Sequence, residues 1–321
     1  MKIERLCSGG LIVTYACSSS CSHCLYKSSP KRDKAYIEKE MAKEVFAKIA
    51  KLNCKSIHIG GGEPFLRPES LFEITSIASE YDIHIDYVET NASWFCNGSD
   101  EILKKCLSSN VKTLLISISP FHNEFIPFSK VTELIKASKK YRINIFPWII
   151  DFADEISAFE QKTTHRLFEY KERYGEDYII NSLSRYGVRF NGRAAEVFSN
   201  LLATKTPEHI ILENPGPCNE LLNTSHFHVD LYGNYIPGLC AGLSLDFKVL
   251  DQDFSPNYPL FVLLCKKGIS GLYKFAKENF SFNTEKKYIG KCHLCLEIRK
   301  HLYRNKVFLN ELRPAEFYEF S

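Results

Sequence analysis

The stretch YACSSSCSHCLY (residues 15–26) decides the reading of this 321-residue chain, because it sets Cys17, Cys21 and Cys24 at gaps of four and three. With twelve cysteines in the chain, a triplet with both gaps arises by chance on the order of 0.02 times. Three thiolates on a short loop can each bind one iron of a cubane iron–sulfur cluster and leave the fourth iron open. Zinc would want a fourth protein ligand, and His23 stands nearby. But His23 adjoins Cys24, and neighbours are awkward partners in one tetrahedron. Spacing favours the open cluster.

The segments around the loop alternate between strand and helix. LIVTY (11–15) reads as a buried strand running into the cysteines, and Met41, Val45, Ile49 and Leu52 recur at helical spacing over 38–52. KSIHIGGGEP gives a second strand ending in glycines, followed by a helix over 68–80. Strands are expected at 83–91, 111–119 and 143–150, helices at 99–108 and 129–141, a longer charged helix at 154–174, and a sixth strand in YGVRF (186–190). Six such βα units imply parallel strands covered by helices, since parallel strands need crossover connections. Chemistry in such sheets sits beyond the C-terminal strand ends. The cysteines, the Gly-Gly-Gly-Glu turn, Glu89-Thr90-Asn91 and Ser117/Ser119 all fall there.

Composition narrows the class. The chain is 45% hydrophobic and 25% charged, with a net charge of +3 and no long basic run, which argues against a nucleic-acid groove. No apolar stretch reaches membrane-span length. The opening MKIERLCSGGLIVTYAC reads as no signal peptide, so a cytoplasmic protein is expected, with reduced thiolates that bind metal rather than disulfides.

From about Leu201 the βα rhythm stops, and a boundary is expected near residue 200, dividing 1–200 from 201–321. FHVDLYGNYIP reads as a hairpin turning near Gly233-Asn234, with helices at 259–279 and 294–304. Cys218 precedes the hairpin, Cys240 follows it, and Cys292 and Cys295 form a C-x2-C opening a helix. Such a four-thiolate closed site suits either zinc or a second cubane, and spacing cannot separate them.

C-x3-C-x2-C after the first strand, with Gly61-Gly62-Glu63-Pro64 after the second, resembles the radical S-adenosylmethionine (SAM) enzymes over approximately residues 10–200. The resemblance implies an α/β fold, a partial (β/α)6 TIM-like barrel holding a [4Fe-4S] cluster whose open iron takes the amine and carboxylate of SAM. Reductive cleavage of SAM would then give a 5′-deoxyadenosyl radical that removes a substrate hydrogen. On this reading Gly61 and Gly62 let backbone approach the ligand, Glu63 accepts from the SAM ammonium, and Pro64 completes the turn. Ser117 and Ser119 match the fourth-strand position that contacts the ribose in relatives. Arg193, after the expected sixth strand, would meet the SAM carboxylate or a substrate anion, or else form a surface ion pair. Glu89, Asn91, His122 and Glu124 are further candidates for the cavity.

The C-terminal cysteines look like the twitch module, the shortened relative of the SPASM extension, which implies a small C-terminal domain with a second, auxiliary [4Fe-4S] cluster. A closed cluster cannot bind substrate, so electron transfer or bracing is its expected work. The expected substrate is a peptide, oxidised or cross-linked, with a small metabolite that is dehydrogenated or epimerised as the alternative. A reductant such as flavodoxin or ferredoxin would complete the partners. A zinc-stabilised binding protein is the reading without chemistry.

Overall fold

The computed structural model describes residues 1–96 and 98–319. Strand β1 (Gly9–Ile12) is followed by helix α1 (Lys39–Lys51), whose buried Ala42, Val45, Phe46 and Ile49 repeat at helical spacing. Burying each of the larger side chains contributes roughly 1.5–3 kcal/mol. Next come β2 (Ser56–Gly60), α2 (Pro68–Glu80), β3 (His84–Thr90), α3 (Asp100–Ser108), β4 (Thr113–Ile116), the short α4 (Pro120–Asn123), α5 (Phe128–Lys140) and β5 (Asn144–Pro147). Most of these elements overlap the expected ones, but β1 ends at Ile12 rather than running over 11–15, and α4 was not expected.

Beyond β5 the expectations change. The long helix expected at 154–174 is two, α6 (Phe152–Ser157) and α7 (Leu167–Tyr174). The second starts afresh where the Glu169 carboxylate accepts the Arg166 backbone N–H at 2.7 Å, a capping interaction that marks a new N-terminus. The sixth strand expected at 186–190 does not form. Residues 178–186 are helix α8 (Tyr178–Tyr186), Gly187 closes it in the left-handed conformation, and Val188 N–H donates back to the Leu183 carbonyl. The Tyr-Gly step that resembles a strand opening is therefore a helix stop. Helices α9 (Arg193–Val197) and α10 (Pro207–Glu213) follow.

The sixth parallel strand comes from the C-terminal third. The expected hairpin forms as β6 (Phe227–Asp230) and β7 (Asn234–Pro237), with β8 (Leu245–Asp246) beside it. β6 lies parallel to β1, with Gly9 opposite Phe227 and Ile12 opposite Asp230. The eight strands run β5-β4-β3-β2-β1-β6-β7-β8, the first six parallel and the last two antiparallel to their neighbours. The order is linear, so the barrel is partial, with edges at β5 and β8. Helices α11 (Pro259–Phe280, kinked at Gly268), α12 (Lys291–Arg304) and α13 (Glu316–Glu319) complete the chain. Among the described residues no helix is long and apolar enough to cross a membrane.

The turn after β2 is pinned to the segment after β1. Gly61 takes φ +131°, Gly62 N–H donates to Thr14 O at 2.8 Å, and Glu63 N–H donates to Ala16 O at 2.9 Å. A Cβ on Gly62 would lie 1.8 Å from Ala16 O, so only glycine fits. Gly62→Ala is expected to cost roughly 1–3 kcal/mol by forcing these strand ends apart, read as a lowered midpoint in denaturant unfolding; an unchanged midpoint would refute the close approach.

Candidate functional site

Two cavities carry the cysteine sets. The first, about 300 Å³, opens at the strand ends and is lined by Cys17, Cys21 and Cys24 together with the backbone of Gly60–Gly62. The loop that presents these thiols has little regular structure, so its shape depends on hydrogen bonds from elsewhere. Cys17 N–H donates to Ser29 O at 3.2 Å, and Cys24 N–H to Cys21 O at 3.1 Å. Asn91, at the end of β3, donates from Nδ2 to Cys17 Sγ at 3.4 Å and to Ser18 Oγ at 3.2 Å.

Arg193 closes the loop from the other side. Its Nη1 donates to Cys21 O and its Nη2 to Ser28 O, each at 2.8 Å, while its backbone N–H donates to Cys24 O at 3.0 Å. The guanidinium expected to meet a ligand carboxylate therefore clasps the cysteine loop instead. It is not on the cavity wall.

Glu63 behaves similarly. Its carboxylate is fully buried and accepts from Phe65 N–H (3.1 Å), Asn91 N–H (2.7 Å) and Thr90 Oγ1 (3.0 Å). Burial still pushes the carboxyl up to about 7, against the lowering effect of those donors. Glu63 joins the ends of β2 and β3, and neither it nor Pro64 reaches the cavity. Ser117 does line the cavity, whereas Ser119 caps α4, meeting His122 Nδ1 at 2.7 Å. His122 is on the wall, while Glu124 is off it and accepts Leu167 N–H at 3.4 Å. His23 is not poised as a fourth ligand: its ring is packed by Phe121, His122 and Tyr186, with centroids 4.5–4.9 Å away.

Burial pushes the Cys17 thiol up to about 12 and the Cys21 thiol well above its usual range, with Cys17 and Cys24 adding to the shift at Cys21. Loading with metal must therefore displace protons. Among the described residues no three His, Cys, Asp or Glu side chains are gathered as they would be around one metal ion. The fit to a cluster rests on the donor set, three soft thiols on one wall. It rests also on His23 Nδ1, Tyr26 Oη and Ser28 Oγ, which are buried at that cavity without a hydrogen-bond partner among the described residues.

The second cavity, about 110 Å³, brings together Cys218, Cys240, Cys292 and Cys295, which lie far apart in sequence. Arg299 stands on its wall, 1% exposed, donating to Ala241 O at 2.9 Å and Tyr318 Oη at 3.0 Å. Burial works against its charge, and Tyr318, Cys295 and Cys240 outweigh that and hold it protonated. A buried cation beside four thiols suits an anionic thiolate site. The two cavities approach at one step of the chain: Leu239 lines the first and Cys240 the second.

Sequence reasoning missed further lining of the first cavity, namely His58, Tyr87, His226, His228, Trp148 and Tyr186. One signal was available. His226 and His228 sit two apart in a strand-like run, which puts both on one face.

Comparison with known proteins agrees with this geometry. The family model described as "Radical SAM superfamily" matches residues 11–153. The chain is 31% identical over 128 residues to "Putative peptide biosynthesis protein YydG" of Bacillus subtilis (strain 168), covering 39% of this chain and 40% of that one. It is 24% identical over 247 residues to "Mycofactocin maturase MftC" of Mycolicibacterium smegmatis, covering 73% of this chain and 57% of that one. The chain thus spans about half the length of these curated relatives. Among solved structures, BtrN in complex with AdoMet and 2-DOIA is similar at TM-score 0.45 and 14% identity, over 88% of this chain and 96% of that one. Residues 11–153 thus carry a match to the radical SAM superfamily, a family whose chemistry implies a [4Fe-4S] cluster and SAM.

Proposed function

We propose that this radical SAM enzyme is an oxidoreductase that oxidises or cross-links a peptide, with a second iron–sulfur cluster as electron acceptor. The observation that carries this reading is the pairing of two thiol sets, one of three and one of four, in cavities that approach at the Leu239–Cys240 step. Cys17, Cys21 and Cys24 would hold a cluster with one open iron, and Cys218, Cys240, Cys292 and Cys295 a closed one. The N-terminal cluster with SAM, when bound, would supply a nucleoside radical that removes one substrate hydrogen atom. The closed site would supply a one-electron acceptor, its negative charge balanced by Arg299.

The remaining work falls to the chain itself. Arg193, Asn91 and Glu63 hold the loop and strand ends in register, and Ser117 and the Gly60–Gly62 backbone form the wall that would face SAM. On this reading residues 1–200 provide the radical half and 201–321 the electron-accepting half. Peptide as substrate class is supported by the names of the two curated relatives, a peptide biosynthesis protein and a maturase. So many thiols need a reducing compartment, which supports a cytoplasmic setting and a small electron-transfer protein such as flavodoxin or ferredoxin as reductant.

Anaerobic reconstitution tests the two sites. The expected result is roughly eight irons per chain with a broad absorbance near about 400 nm. Joint replacement of Cys17, Cys21 and Cys24 by Ala should halve the iron and abolish 5′-deoxyadenosine. Joint replacement of Cys240, Cys292 and Cys295 should halve the iron yet spare nucleoside formation while oxidised product is lost. Zinc in place of the second four irons would overturn the auxiliary reading. Arg193→Gln removes two charged hydrogen bonds from the cysteine loop and is expected to cost roughly 1.5–3 kcal/mol of stability. The same variant should lower iron retention at the first site on gel filtration, and full retention would contradict the clasp.

A further inference from the structure

Oxidation of the kind proposed above takes from the substrate one hydrogen atom, one electron and one proton. The first two have receivers in that reading, and the proton has none. The lining of the first cavity supplies one.

His58 on β2 and His228 on β6 meet through their Nε2 atoms at 3.2 Å, one ring donating to the other. His226 packs against both, with centroids 5.7 and 4.8 Å away, and Tyr87 stacks on His58 at 5.0 Å with an interplanar angle of 11°. Glu89 projects from β3 into the same cavity, its Oε1 3.8 Å from His58 Nε2. The backbone makes room for both groups. A Cβ on Gly10 would sit 2.3 Å from His58 Nε2, and one on Gly60 would sit 2.7 Å from Glu89 Oε2. Glycine at each position is what lets a bulky polar side chain lie flat over the sheet. The buried Tyr26 Oη, unpartnered among the described residues, lines the same space.

We propose that Glu89 is the base that takes the substrate's proton, with His58, 3.8 Å from its carboxylate, as a positioning residue and His228 fixing the His58 ring. The step balances as follows. The substrate C–H bond breaks homolytically, its hydrogen atom going to the nucleoside radical. The substrate radical then gives one electron to the iron–sulfur centre of the Cys218 set and one proton to Glu89 as the new double bond or cross-link forms. The inference rests on the oxidative reading above.

The electrostatics agree with the geometry. Partial desolvation at the cavity wall pushes the Glu89 carboxyl up to about 7, where a base exchanges protons well near neutral pH, while 40% of its side chain stays open to the cavity. The titratable groups around it are His58, His226 and His228, Glu63, and the phenols of Tyr26, Tyr87 and Tyr186, with Arg189 on the cavity wall. Burial, with His226 beside it, pushes His58 down to about 3, and burial likewise lowers His226 and His228. These rings stay neutral near pH 7, so none accounts for a titration there. Glu89 must be ionised to accept a proton, so oxidised product should rise with pH through about 7.

The test uses reconstituted holoenzyme, SAM, a chemical reductant and a library of synthetic short peptides, from which one that wild type oxidises is carried forward. Glu89→Gln should keep full iron content and 5′-deoxyadenosine formation, lower oxidised peptide by about 100-fold or more, and remove the rising pH limb. In heavy water the undeprotonated substrate radical, taking one electron from the chemical reductant and one deuteron from solvent, should return peptide carrying one deuterium. Infrared titration of wild-type holoenzyme with ¹³C-labelled glutamate, with Glu89→Gln subtracted, should show a carboxyl band disappearing near pH 7 independently of turnover. His58→Gln should move the midpoint of the limb while KM stays within about twofold, an effect that simple support of the fold would not produce. Oxidised wild-type product with an equally active Glu89→Gln, a limb that persists in that variant, or a carboxyl already ionised at pH 5 overturns this assignment alone. Wild-type product of unchanged mass overturns the oxidative reading and this assignment with it.

Discussion

Three thiols can share one wall only if the loop carrying them has a single shape, and that loop lacks a ladder of its own. Its carbonyls are taken instead by donors from distant segments: Gly62 and Glu63 N–H on Thr14 and Ala16, and Arg193 on Cys21, Ser28 and Cys24. A buried backbone group left without a partner costs about 1–3 kcal/mol, so these bonds together decide whether the loop is ordered. Arg193 matters most because one side chain closes two carbonyls seven residues apart. Residues that sequence reasoning would send to the ligand thus do their work one layer further out.

A second set of contacts joins the two cysteine sites. Lys27, in the N-terminal loop and almost fully buried, pairs with Glu196 of α9 at 2.6 Å, and Lys300 of α12 meets the same carboxylate at 2.9 Å. The helix that carries Lys300 also carries Cys292, Cys295 and the buried Arg299. Removing the shared carboxylate would take one ion-pair partner from each lysine in a partly buried place, with Lys300 keeping Glu297 at 2.9 Å. The loop of the first site and the helix of the second are therefore held to one another by side chains as well as by the sheet.

Much of this was legible in the sequence, and the failures have physical causes. The elements through β5 follow from period and turn chemistry, and the seven cysteines from residue type and spacing, because a thiol's chemistry does not depend on knowing its neighbours. YGVRF misled because its alternation matches a strand while its glycine also suits a helix stop, and the Leu183 carbonyl that decides between them is a partner only in three dimensions. The hairpin at Phe227–Pro237 was visible, but its lateral pairing with β1 was not, since nothing local specifies a neighbour more than two hundred residues away. Glu63, Ser119 and Arg193 point where Thr90, His122 and the Cys21 carbonyl draw them. The histidine wall escaped notice because a lone His58 in an alternating strand carries no signal until β6 brings His228 to it.

The parallel pairing of β6 with β1 has a further consequence. The N-terminal cysteines leave the end of one strand, and Cys240 follows the hairpin grown on its neighbour, so the spacing between the two cysteine sets is ruled off by peptide register rather than by a hinge. On the reading proposed above, a gap fixed in this way would keep electron transfer uniform from turnover to turnover, without any docking motion to gate it.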